Sequence, residues 1–114
     1  MYFHLKPVSK IIKSCSFVDS VFAAQGFQKK QKKEYHCYCL IMKDNITRLN
    51  YELHIPYKEI PQPNKEPLFK IGEIYIYSKS PFLKNHRIPI AVINAAKEKA
   101  NEVFSYLKNP IINH

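Results

Sequence analysis

From Thr47 to Tyr57 the chain alternates strictly in character. Thr47, Leu49, Tyr51, Leu53, Ile55 and Tyr57 fall on one side, and Arg48, Asn50, Glu52 and His54 on the other. A period of two sends successive side chains to opposite faces of a pleated strand, so this stretch reads as a half-buried strand. Such a strand needs a partner beside it and an apolar cover over one face. Tyr35 to Lys43, YHCYCLIMK, has the length and β-propensity to be the partner. Asp44-Asn45 between them tolerates positive φ and predicts a two-residue hairpin loop. Counting outward sets Met42 opposite Thr47, Leu40 opposite Leu49, Tyr38 opposite Tyr51 and His36 opposite Leu53 on the apolar face. The other face then pairs Ile41 with Arg48, Cys39 with Asn50, Cys37 with Glu52 and Tyr35 with His54. A slip of one residue would send every one of these side chains to the wrong face.

The cover is expected from two helices. Residues 14–26 carry Phe17, Val18, Val21 and Phe22 at helical spacing. Ser16 and Asp19 resemble a capping box, and Gly26 followed by Phe27 suits the C′ position and its hydrophobic closure. Residues 89–108 repeat the pattern with Ile93, Ala96, Ala100, Val103 or Phe104, and Leu107. Pro89 suits the first turn, and Asn109-Pro110 stops the helix, leaving IINH as a frayed end. Residues 68–77, LFKIGEIYIY, predict one further strand, with Phe69, Ile71, Tyr75 and Tyr77 on one side and Leu68, Ile74 and Ile76 on the other. Gly72 within it points to a bulge or a close backbone approach. Residues 1–13 allow a short edge strand, QKKQKKE at 28–34 reads as a solvated loop, the Pro-rich 58–67 as a stiff connection, and 78–88 as a loop. His86, beside Lys84 and Arg87 there, reads as part of that solvated loop rather than as an anion site. The order β-α-β-β-β-α is α+β: an antiparallel sheet of four to five strands with two helices on one face.

At 114 residues the chain is expected to form a single domain. It contains no apolar run long enough to span a membrane and no secretory h-region, and its odd cysteine count of 3 fits no closed disulfide framework. The reducing cytoplasm is the expected compartment. The formal charge of +9 rests on 18 basic side chains, of which only Arg48 and Arg87 are arginines. Arginine is the preferred residue for bidentate phosphate and base-edge contacts, so basicity as composition is the stronger reading over nucleic-acid binding.

The helix ending in Gly26-Phe27, the aromatic strand Tyr35–Met42, the segment Tyr51-Glu-Leu-His-Ile-Pro-Tyr57, the Ile71-Gly72 step and the Ile88-Pro89 helix opening resemble the YugN-like family of small bacterial proteins. The resemblance spans roughly residues 8 to 108. It departs at His54, where the family pattern has an Arg before the Ile-Pro-aromatic step, so no anion-binding role is carried over to that position. The resemblance implies a cytoplasmic α+β homodimer with no established activity.

No catalytic or cofactor motif stands out, and neither an enzyme nor a bound cofactor or metal is expected. The paired strands do place Cys37, Cys39, Glu52 and His54 on one sheet face. Thiolate, carboxylate and imidazole all ligate zinc, but C-x-C on a strand separates its cysteines by about 7 Å, and free cysteine is usually a small buried hydrophobe. A thiol or metal-site enzyme at Cys37 and His54 is therefore only a second alternative. Tyr35, Glu52 and His54 are the ligand-binding candidates. Tyr35, Tyr75 and Tyr77 on the uncovered face could stack single-stranded bases, with Lys29, Lys30, Lys32 and Lys33 supplying charge. A homodimeric binding or interaction module is the preferred reading, because the apolar content of residues 68–77 exceeds what one sheet face needs.

Overall fold

The computed structural model describes residues 2–5, 10–78 and 88–109, with the side chains of 2–5 and of Lys32 outside that description. Residues 79–87 of the expected loop, including His86, and the tail after Asn109 lie outside the described residues. Among the described residues there are seven strands and two helices: β1 (Tyr2–Leu5), β2 (Ile12–Ser14), α1 (Cys15–Ala24), β3 (Gln28–Lys32), β4 (Tyr35–Lys43), β5 (Asn50–Gln62), β6 (Lys65–Ile71), β7 (Ile74–Ser78) and α2 (Ile90–Lys108). Every strand pairing is antiparallel. One path runs β1-β7-β5-β4-β3, and β6 joins β5 to β2 off that path. The fold is α+β as expected, with more strands than the four to five expected.

The long β5 is the spine. Its first half lies between β4 and β7. Its second half pairs with β6. Tyr51, Leu53, Ile55 and Tyr57 are all buried. They share one core with Tyr38 of β4, Ile74 and Ile76 of β7, Val18 and Phe22 of α1, and Val92, Ala96, Ala100, Val103, Phe104 and Leu107 of α2. Phe22 lies flat on Tyr38, with ring centroids 4.0 Å apart and planes 3° from parallel.

The β4–β5 connection differs from the two-residue hairpin. Asp44 uses its side chain instead of a left-handed backbone: its Oδ2 accepts from Thr47 N at 3.1 Å and from Thr47 Oγ1 at 2.6 Å. Its backbone N–H donates to Leu49 O at 2.9 Å, and Arg48 takes the positive φ of 63°. An aspartate that bonds its own neighbours builds a longer loop than one serving only as a turn residue. Leu40 therefore faces Leu53, Met42 faces Tyr51, and Cys39 faces His54. The offset of four residues is even, so each side chain keeps its expected face.

Three other expectations are corrected. The lysine-rich 28–34 segment is not a loop over its length: Gln28–Lys32 forms the edge strand β3 against β4. Lysine suits an exposed edge, which its charge protects from pairing with other chains. The Pro-rich 58–67 segment continues β5, turns at residues 63–64 with Asn64 at φ 59°, and enters β6. A register irregularity between Ile60 and Gln62 accommodates Pro61, as bulges accommodate proline in sheets. The 68–77 stretch is two strands, because Gly72 and Glu73 break it. The break shifts the parity: Phe69, Ile71, Ile74 and Ile76 are all buried, while Tyr75 and Tyr77 stand on the opposite face. Phe69, Ile71, Ile74 and Ile76 thus collect on the core side, while Leu68, Tyr75 and Tyr77 lie outside the buried core.

At the N-terminus of α1 there is no capping box. Ser14 precedes the helix without a side-chain cap, Ser16 Oγ donates to Glu66 at 2.6 Å, and Asp19 turns to Tyr38 and Lys29. The C-terminal end is as read. Gly26 has φ 87°, its N–H reaches Ala23 O at 3.1 Å, and Phe27 N reaches Phe22 O at 3.0 Å. A Cβ on Gly26 would sit in ordinary contact with Leu40, 3.8 Å away, so space is not the constraint. Gly26→Ala should therefore cost about 1–2 kcal/mol through left-handed backbone strain alone, read as a lower urea midpoint with an unchanged m-value.

Candidate functional site

On the sheet face away from the helices, β3, β4, β5 and β7 bring together Lys30, Cys37, Cys39, Glu52, His54, Tyr35 and Tyr77. Cys39 sits directly across from His54. Both cysteines are buried, at 1% and 3% exposure, and the Glu52 and His54 side chains are 13% and 15% exposed. Cys39 Sγ lies 3.4 Å from Glu52 Oε1, Glu52 Oε2 lies 3.5 Å from His54 Nε2, and His54 Nδ1 lies 3.7 Å from Cys37 Sγ. Lys30 reaches Glu52 Oε1 at 3.4 Å. Burial pushes the Cys39 thiol up to about 11, with the Glu52 carboxylate acting in the same direction. Thiolate character at Cys39 and then the Glu52 carboxylate raise the Lys30 ammonium above its usual value. At neutral pH the trio is thus a thiol beside a carboxylate and an ammonium. Such a thiol is a poor nucleophile, because the thiolate is the reactive form.

Two tyrosines connect this cluster to a groove. Tyr35 lies 6.3 Å from the His54 ring, His54 lies 4.7 Å from Tyr77, and Tyr77 lies 6.2 Å from Tyr75. Tyr35 and Tyr75 also line a groove of about 790 Å³. It forms where β5 exchanges β7 for β6 as its neighbour. The exchange happens at Pro56, opposite Gly72. Gly72 N donates to Pro56 O at 2.8 Å, and a Cβ on Gly72 would come within 3.4 Å of both that oxygen and the proline ring. The close backbone approach expected at Gly72 is present, and it holds the two strands together at the groove. His36, Tyr57 and Ile71 add an apolar wall, and Glu34, Glu59, Glu73, Lys58 and Lys70 add charge. His36 stacks on Tyr57 at 5.6 Å, and its buried Nδ1 has no hydrogen-bond partner among the described residues.

Of the ligand-binding candidates, Tyr35 borders the groove, and Glu52 and His54 lie in the adjoining cluster. The expected lysine patch is divided. Lys29 crosses to the helix side, pairing with Asp19 at 3.1 Å and lying 4.9 Å over the Phe69 ring, while Lys30 goes to Glu52 on the far side. Lys33 is exposed in the β3–β4 turn. Sequence reasoning missed His36, Pro56, Tyr57 and Glu73 as groove residues. The signals available were a proline inside an alternating strand and one of only two glycines in the chain. Their proximity depends on a change of strand partner that no local pattern encodes.

No family model and no curated protein matches the sequence. Among solved structures, the chain is similar to the uncharacterized conserved protein YugN from Geobacillus kaustophilus HTA426, with a TM-score of 0.69 and 14% identity over 85% of this chain and 86% of that one. The fold is YugN-like. At that identity the likeness concerns the fold, which bears out the architecture that the sequence resemblance implied. Among the described residues, no helix is long and apolar enough to cross a membrane.

Proposed function

We propose that this YugN-like fold is a non-catalytic binding module of the reducing cytoplasm, and that its ligand site is the groove at the β6–β7 exchange. The groove itself carries the reading: about 790 Å³ lies within the range of small-molecule sites, and aromatic side chains form its apolar wall beside charged residues of both signs. Tyr35, Tyr57, Tyr75 and His36 favour a flat, partly apolar molecule. Lys58 and Lys70 stand among Glu34, Glu59 and Glu73, so charged substituents of either sign find a counter-charge there. Three cysteines outside any disulfide support the compartment, and a protonated Cys39 argues against thiol catalysis.

Anilinonaphthalene sulfonate, a flat anionic fluorophore, is a suitable probe. One saturable site per chain is expected. Tyr75→Ala should weaken it about fivefold, the equivalent of roughly 1 kcal/mol of lost aromatic contact, while Ile46→Ser in the β4–β5 loop should leave it unchanged. Fluorescence that never saturates, or that ignores Tyr75→Ala, would count against the groove.

A further inference from the structure

We propose that Cys39 Sγ, the Glu52 carboxylate and His54 Nε2 form a binding site for one divalent transition-metal ion of the zinc class. The cluster differs from the one that strand counting suggested. A two-residue hairpin would set Tyr35 across from His54 and would leave zinc to draw on both cysteines, whose spacing suits it poorly. The six-residue Asp44–Leu49 connection instead brings His54 opposite Cys39. Only one cysteine is then needed, and sulfur, oxygen and nitrogen converge from two neighbouring strands, their ligand atoms all within 4.8 Å of one another.

The distances suit an ion. Zinc binds sulfur at about 2.3 Å and nitrogen or oxygen at about 2.0–2.1 Å, so the edges of its tetrahedron are roughly 3.3–3.7 Å. Cys39 Sγ lies 3.4 Å from Glu52 Oε1 and His54 Nε2 lies 3.5 Å from Glu52 Oε2; with one oxygen of Glu52 as ligand the three atoms lie within 4.8 Å of one another, so a small closing of the side chains brings them to the edges of such a tetrahedron. Paired strands hold these backbones rigidly, which lowers the ordering needed on binding. Cys37 Sγ, 3.7 Å from His54 Nδ1, is placed to accept a hydrogen bond from the Nδ1–H and so keep Nε2 available to the ion; it acts as a positioning residue. Lys30 now neutralises Glu52, and the incoming ion would displace it toward solvent. On binding, Cys39 loses its proton to solvent, one sulfur–metal bond forms, and nothing is oxidised or reduced. Three protein ligands leave a fourth position for water. This site does not depend on ligand binding in the groove.

The test uses the whole chain, stripped with chelator and titrated under reducing conditions with Co2+ and then Zn2+. About one equivalent of Co2+ should bind with a tetrahedral visible spectrum and a thiolate-to-cobalt charge-transfer band, and Zn2+ should bleach both. Cys39→Ser should abolish the band, Cys37→Ser should keep it while weakening affinity about 10–100-fold, and Cys15→Ser should change nothing. An octahedral, sulfur-free spectrum on the unmodified protein would overturn the site, as would the absence of stoichiometric uptake. A charge-transfer band that survives in Cys39→Ser would overturn it too. Because the unmodified protein already gives a deciding spectrum, misfolding of a variant cannot obscure the answer.

Discussion

Tyr38→Ala should destabilise the protein by about 4 kcal/mol, a large part of the roughly 5–15 kcal/mol that holds a domain of this kind together. Tyr38 is 1% exposed and serves three neighbours at once. Its ring lies on Phe22 at 4.0 Å and tilts against Tyr57 at 5.0 Å, tying β4 to α1 and to β5. Its hydroxyl donates to Asp19 Oδ1 at 2.5 Å. Truncation leaves a cavity where helix and sheet meet, and it removes a charge-assisted hydrogen bond. Tyr38→Phe separates the two contributions. It keeps the packing and should cost about 1.5–3 kcal/mol, because Asp19 loses one partner but keeps Lys29 at 3.1 Å. Urea unfolding of the three proteins measures both steps. Equal losses in the two variants would mean that the ring packing contributes nothing.

Stability should also fall steeply on the alkaline side. Burial, followed by the bond to Asp19, raises the Tyr38 phenol well above its usual 10.0, and burial likewise raises Tyr51. Folded phenols then keep their protons where unfolded ones lose them. The contribution is complete below 10.0 and is lost as pH rises toward the higher folded values. Above 10.0 Tyr38 should remove up to about 1.4 kcal/mol per pH unit, and Tyr51 adds to the decline in the same direction. Raised values at Tyr35 and Lys30 act in the same direction. Unfolding free energies compared at about pH 9 and about pH 11, on chelator-treated protein, should differ accordingly, and Tyr38→Phe should show a shallower decline. A flat profile across that range would contradict the burial-driven shifts.

The elements whose pattern is local were legible in the sequence. Alternation in Tyr35–Lys43 and in the first half of β5 reported a half-buried pair of strands, and the helical stripe over 89–108 reported α2. Gly26-Phe27 marked the end of α1, because only a residue without a side chain accepts φ 87° at little cost. The cluster on the far face was also legible, for a reason particular to strands. The hairpin loop was four residues longer than expected, and an even error leaves every side chain on its own face. The same error hid which of these residues stand across from each other: Cys39 faces His54 because Asp44 folds onto Thr47 and lengthens the loop.

By itself the sequence determined the α+β class, the two helices, the faces of β4 and β5, and the company that Cys37, Cys39, Glu52 and His54 keep. Each follows from a periodicity written in neighbouring residues, which a pleated or helical backbone converts directly into direction. The tertiary structure alone decided the rest. It made an edge strand of the lysine run, carried β5 through Pro56 and Pro61, and split 68–77 at Gly72-Glu73, moving Tyr75 and Tyr77 to the face opposite Phe69 and Ile71. These outcomes depend on which strand lies alongside which, a choice made by packing across long sequence separations. The groove between β6 and β7 is the direct product of that choice.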